Sequence, residues 1–409
     1  MGLKNKYQYT YFIHTFLINK NRYNRYILKL LKDERFELRI FQKDKDLELY
    51  SYFLPEMRNF LFKTFDLTKE RLKKMEELPL ETRAAILSEY PCITFEYNLK
   101  KDLQGKTVDD NSIFFKIQKI GVVCFNTGIC FLYMKTNIEG SDKFADLLNF
   151  NYKFRDINQE YSNLRNYDNI KLQESYFSDI KEIKEFIAEI TGPNFDAMKL
   201  NLDVERFYTF SYVCLDQTCW NSTIDFNDIK NDFLKYISFC PNDQGMNITQ
   251  SENEKIITNN MYARVGISKL GISLFSSEAD INNYTILPQD YENQYFYTYI
   301  LALYLKVYLK KIDSEFKGGK DIEKTRKEFI EFTKRIWVQE ITSEDFGSLL
   351  YYDIKNVMEL EEAYDKIKNK YDILYRELKV EKTEKMSIII ICILVLTLIF
   401  NILNWLNLL

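Results

Sequence analysis

Apolar and polar positions alternate along most of this chain, and the pattern stops at one place. From Ser387 to Leu409 the sequence reads SIIIICILVLTLIFNILNWLNLL, without a charged residue. As a helix the run spans roughly 35 Å, enough to cross a bilayer. Thr397, Asn401 and Asn404 follow one another at helical spacing and share a face. Amides on such a polar stripe favour hydrogen bonds between helices in lipid. Asn404, Trp405 and Asn407 also suit the far interface.

Just upstream, Val357, Leu360, Tyr364, Ile367, Tyr371, Leu374 and Leu378 alternate steps of three and four. That is an a/d seam over about three heptads. It predicts a coiled-coil-like stalk over 346–386, continuous with the membrane helix. The seam either joins copies of the chain or packs on its own domain. Continued through Glu381 and Lys385, which break the seam, the register puts Cys392, Val395, Ile399, Ile402 and Leu406 on that face, and the Thr/Asn stripe points away from it.

The preceding part carries the periodicities of an α+β domain. Strands are predicted over 7–18, 113–125, 129–136, 206–215 and, paired, within 262–275. Asn126-Thr127-Gly128 suits a three-residue hairpin loop. Helices are predicted over 22–33, 55–77, 81–90, 178–191 (with Ser178 as cap) and 225–238. Residues 149–156 (NFNYKFRD) alternate and read as a strand, with Asn151, Lys153 and Arg155 on one face as a candidate ligand surface. The Asn-rich stretch 241–260 reads as a loop. From 290 the texture becomes helical. YFYTYILALYLKVYL is very apolar, but Lys306 and its tyrosines favour a buried core helix over a second span. Another helix is expected over 321–338. The expected organisation is an α+β domain at 1–285, a helical section at 286–345, the stalk at 346–386 and one transmembrane helix at 387–409.

Composition narrows the class. The 409 residues carry 56 Lys+Arg against 60 Asp+Glu and are 46% hydrophobic, which excludes a disordered chain. All of these charges lie before the terminal run, so an average composition hides a charged body and an uncharged helix. The near balance gives no strong nucleic-acid signal. Arg376, Lys379, Lys382 and Lys385 flank the apolar run on its N-terminal side, so the positive-inside rule puts the body in the cytoplasm. The seven cysteines read as small buried hydrophobes of a reducing compartment. His14 is the single histidine, and no catalytic, phosphate-loop, cofactor or metal motif accompanies it. Gly105-Lys106-Thr107 lacks the first glycine of a phosphate loop, since position 100 is Lys. No enzyme, cofactor or metal site is therefore expected.

A cytoplasmic α+β domain, a helical section and a long stalk helix entering the membrane resemble the layout of CorA-type ion transporters. The stretch YFYTYILALYLKVYL, then FTKRIWVQEITSEDFG and the stalk, is similar to CorA-like membrane proteins of AT-rich bacteria, some of them antiviral effectors. The resemblance covers about 290–409. CorA proteins carry two membrane helices with Gly-Met-Asn between them. Here one apolar run is present and Gly245-Met246-Asn247 lies in the polar loop, so no pore residue is carried over. The expectation is a bacterial, single-pass, inner-membrane homo-oligomer. Its cytoplasmic domain senses a ligand or partner and acts through the membrane helices. The alternative is a scaffold or regulator with the helix as a plain anchor in the lipid bilayer.

Overall fold

The computed structural model describes residues 2–99, 103–108, 113–157, 168–173, 181–192, 200, 202–203, 205–242, 249–251, 254–318 and 322–405. Twelve strands form one mixed sheet. They are β1 (Asn5–Leu17), β2 (Phe36–Arg39), β3 (Cys92–Tyr97), β4 (Leu103–Val108), β5 (Phe114–Phe125) and β6 (Ile129–Glu139). Then follow β7 (Asp168–Gln173), β8 (Lys181–Glu182), β9 (Tyr208–Leu215), β10 (Lys255–Asn260), β11 (Ala263–Ser268) and β12 (Gly271–Ser277). The order is β10-β11-β12-β9-β1-β6-β5-β4-β7-β8. β3 pairs with the second half of β5 and carries β2. The sheet therefore forks where β5 passes from β4 to β3. Described pairings are antiparallel except β12 with β9.

The central strands β1, β6, β9 and β12 and the second half of β5 are buried on both faces, so their apolar side chains point to both sides of the sheet. Phe12, Phe16, Ile117, Val122 and Leu132 face one core, under helices Lys20–Lys32, Leu80–Ser88, Phe144–Phe154, Ile183–Thr191 and Phe226–Ile237. Tyr9, Tyr11, Ile13, Phe131, Tyr133 and Phe210 face the other. There a wide π-helical turn, Tyr291–Tyr295, opens into the central helix Phe296–Gly318. Helices Ile322–Arg335, Asp345–Val357 and Leu360–Trp405 lie around it. The expected helical section thus supplies one layer on the sheet, and its residues share a core with β1, β6 and β9.

Tyrosine makes this layer. Its ring spans the gap between sheet and helix while the hydroxyl reaches a backbone acceptor. Tyr9 Oη donates to the Pro288 carbonyl at 2.6 Å, Tyr291 Oη to Ile272 at 3.2 Å, and Tyr212 Oη to Asn283. Burial raises the pKa of all three, so they stay neutral donors.

Several expectations need correction. Residues 149–156 are not a strand: they end helix Phe144–Phe154, whose Phe144, Leu147, Leu148, Phe150, Asn151 and Phe154 are buried. The helical period starts at Phe144, outside the alternating window. The expected helix 55–77 is three pieces, Pro55–Leu61, Lys63–Asp66 and Lys69–Glu76, the last capped by Thr68. Part of the expected loop 241–260 is β10, held as a partner of β11. Helix 183–191 starts with a capping box of Glu182 and Glu185, and Ser178 lies outside the described residues. Gly245-Met246-Asn247 lies outside them too.

The hairpin loop at 126–128 has the expected geometry. Gly128 has φ 85°, and an added Cβ would lie 2.1 Å from the Ile18 carbonyl oxygen. Gly140 has φ 74° with nothing within 4 Å of that position. Gly128→Ala is expected to destabilise the body by about 2 kcal/mol or more and Gly140→Ala by about 1 kcal/mol. Urea unfolding of the two variants measures the difference; equal losses would refute the close approach at Ile18.

Candidate functional site

The stalk seam is used inside its own chain. Helix Asp345–Val357 ends at Met358, Glu359 takes φ 56°, and a new helix starts at Leu360. The single helix expected from 346 is therefore two. Val357, Leu360 and Ile367 are buried in the core below the sheet. The Tyr364 ring stacks on Trp337 with centroids 4.4 Å apart and planes 5° off parallel. Its hydroxyl meets Thr333 Oγ1 at 3.2 Å. Tyr371 packs near Phe329, and Lys370 pairs with Asp313 of the central helix. The seam from Val357 to Tyr371 is thus a docking face for the body, which removes these residues from a coiled coil between copies. The periodicity is the same for both uses, because an apolar stripe does not encode what covers it. The Leu374 and Leu378 side chains lie outside the described residues.

Lys306 lies within electrostatic reach of Glu359, and Asp313 pairs with Lys370, so central helix and stalk run in the same direction. From Tyr371 to Thr383 the stalk advances roughly 18 Å. Beyond it, Thr383–Leu403 is the one described helix long and apolar enough to cross a membrane, and none of it is buried. On its polar stripe, Thr397 donates its hydroxyl to the Ile393 carbonyl of its own helix. Asn401 is exposed. The Asn404 side chain lies outside the described residues, as does Asn407.

The candidate ligand face Asn151, Lys153 and Arg155 does not form. Asn151 is buried, accepts from Thr10 Oγ1 at 3.0 Å and donates to Ser211 Oγ at 3.2 Å. Arg155 caps the same helix and is buried, which lowers its pKa. Lys153 is half-buried, two residues from each and so on another side of the helix. His14 is buried beside Phe16 and Phe207. Burial lowers its pKa to about 4, so it is a neutral core residue. Among the described residues no three His, Cys, Asp or Glu side chains gather as metal ligands.

A charged cleft lies at the sheet fork, and the sequence pattern did not mark it. Its floor is made by β2, β3, β5 and β6, and Glu292 from the π-helical turn closes one side. The Glu292 carboxylate accepts from Tyr11 Oη at 2.5 Å and from Lys135 Nζ at 2.6 Å. Burial disfavours its charge, but Lys135, Tyr11 and Lys119 outweigh that and leave its pKa below the ordinary value. Lys119 Nζ meets Glu96 at 3.2 Å, and Arg39 joins Glu96 to Asp46. These residues are scattered over seven segments, and only the tertiary fold collects them.

Neither the known family models nor the curated proteins gave a match to this chain.

Two expectations follow. Ile367→Asp puts a carboxylate where the stalk docks and is expected to cost about 3 kcal/mol. Trypsin should then cut at Lys366, Lys368 or Lys370 well before the body is degraded; unchanged protection at these sites would show that the seam is not docked. His14 titrates near pH 4 folded against 6.5 unfolded. Its neutral form therefore contributes stability above pH 6.5 that is lost as the pH falls, about 2 kcal/mol by about pH 5. The imidazole NMR shifts of this lone histidine should stay those of a neutral ring across that window, and His14→Phe should flatten the stability profile there.

Proposed function

We propose that this chain is a membrane-anchored regulatory or binding protein, in which the helix Thr383–Leu403 fastens a large α/β/α body to a lipid bilayer. The observation that carries this reading is that helix itself: 21 residues, none buried, on a body whose other apolar helices are covered. In water such a surface is an aggregation hazard, whereas in a bilayer it is satisfied. The docked seam favours the plain-anchor reading over a stalk that zips copies together, because its first five positions, Val357 to Tyr371, already pack on the body. With Arg376, Lys379, Lys382 and Lys385 ahead of the apolar run, the body faces the cytoplasm at the inner membrane of a bacterial cell.

A second reading keeps self-association, but moves it into the bilayer. Thr397 is satisfied by its own helix, while Asn401 presents an amide to lipid. Such an amide gains a partner when helices meet, worth about 1 kcal/mol. In this form the protein is a homo-oligomer of the CorA-like or effector kind, joined by membrane helices and not by the stalk.

The chain is expected to stay in the membrane pellet after an alkaline carbonate wash. A version lacking 383–409 should be recovered in the supernatant with its thermal midpoint within a few degrees of the full chain, since none of Thr383–Leu403 is buried. A full-length chain released by carbonate would refute the anchor. Asn401→Leu separates the two readings: a detergent-resistant oligomer that disappears in this variant supports association in the bilayer, and an unchanged state supports the plain anchor.

A further inference from the structure

Two irregularities of the backbone converge on the charged cleft. In the pairing of β5 with β6 the register slips between Ile117 and Lys119, so Gln118 is an extra residue. Without the bulge Lys119 would follow Phe115 and Ile117 onto the buried core face. With it, Lys119 is turned to the opposite side and stands directly across from Lys135. The other irregularity is the π-helical turn Tyr291–Tyr295, which brings Glu292 over the same spot. Both kinds of irregularity recur at functional sites.

The charges around them are segregated by sign. Across the β2–β3 ladder Glu37 stands directly opposite Glu96, and across β5–β6 Lys119 stands directly opposite Lys135. Like charges facing each other across a ladder are destabilising. Packing alone does not ask for two such pairs side by side. Lys119 bridges to Glu96 and Lys135 to Glu292, which partly offsets the repulsion within each pair. The cleft between them is about 480 Å³, within the range of small-molecule sites. A simple anion drawn to the lysines would face Glu37, Glu96 and Glu292. A simple cation would face Lys119 and Lys135.

We propose that this cleft binds a small zwitterion of the free amino acid class, its carboxylate on Lys119 and Lys135 and its ammonium on Glu96 and Glu292. Such a ligand replaces the two bridging ion pairs with two of its own and so leaves no buried charge alone. Gln118 and Asn98 stand at the rim as polar groups beside the side chain. The inference goes beyond anchoring and holds whether or not Thr383–Leu403 crosses a membrane.

The test uses the purified full-length chain in detergent micelles. Each of the twenty amino acids is titrated by calorimetry, beside ethylamine, acetate and inorganic phosphate as probes carrying charge of one sign only. At least one amino acid should bind saturably, with every one-sign probe at least about thirtyfold weaker. Lys119→Gln and Glu96→Gln change partly exposed side chains, and their circular dichroism should match the parent. Each should weaken the bound amino acid by about tenfold or more. The proposal is overturned by phosphate or ethylamine binding as tightly as any amino acid. It is equally overturned if no amino acid binds up to about 10 mM, or if either folded variant binds like the parent. In the last two cases the cluster is a structural ion network, and in the first it is a site for a simple ion.

Discussion

The constraint on which this structure depends is the burial of one helix. Phe296–Gly318 has Phe296, Tyr299, Ile300, Leu303, Tyr304, Val307 and Ile312 buried, and both sides of it are covered. Each large apolar side chain removed from water contributes about 2 kcal/mol. The sheet must therefore lie on one side of this helix and the stalk on the other. Tyr11 and Phe210 meet Phe296 from the sheet, with ring centroids 4.7 and 5.7 Å away. Trp337, Phe329 and the docked seam of the stalk close the far side. The position of the cleft and the direction of the stalk both follow. Glu292 sits at the start of this rod and Asp313 near its end, where Lys370 of the stalk is fastened.

One consequence concerns how the body is held. A helix docked over several turns, with Tyr364 flat against Trp337 and Lys355 bonded to Glu361 at 2.5 Å, is not a flexible tether. The change of direction is confined to Met358-Glu359, where a non-glycine residue in the left-handed region is offset by the packing on both sides. The outward helix therefore inherits its angle from the core of the domain. Over Thr383–Leu403 none of it is buried.

Much of the architecture was legible because it rests on local periodicity. β1, β9, the β5–β6 hairpin with Gly128 at its turn and helix Phe226–Ile237 all appear where alternation or the 3.6 period placed them. The failures share a cause. Phe150, Tyr152 and Phe154 alternate within a short window, yet the helical set that is buried begins at Phe144. The stalk seam was visible, but its partner was not, since heptad spacing describes a stripe and not the surface it meets. The cleft was invisible for a stronger reason. Lys119, Lys135, Glu96, Glu37 and Glu292 have no local pattern in common. They meet because a bulge at Gln118 reverses the side on which Lys119 emerges and because β3 and β6 flank the same strand. A one-residue slip of that kind leaves no trace in hydropathy.

Two long helices with apolar runs show what hydropathy alone cannot separate. The central helix carries Lys306 and Lys311, yet it is buried. Lys306 places its ammonium 5.0 Å from the Tyr208 ring centroid, and burial lowers its pKa to about 8. Lys311 donates to the Thr127 carbonyl at 2.9 Å. These cations are tolerated because a protein surface supplies rings and carbonyls at the right distance. The helix Thr383–Leu403 has no such neighbours, since none of it is buried. A charge placed there would have only its own helix and the surrounding medium as partners. Its apolar stretch from Ser387 onward has no charge to place. The absence of any charged side chain from Ser387 onward separates a helix suited to lipid from one suited to a core, and the two lysines mark the difference within a single chain.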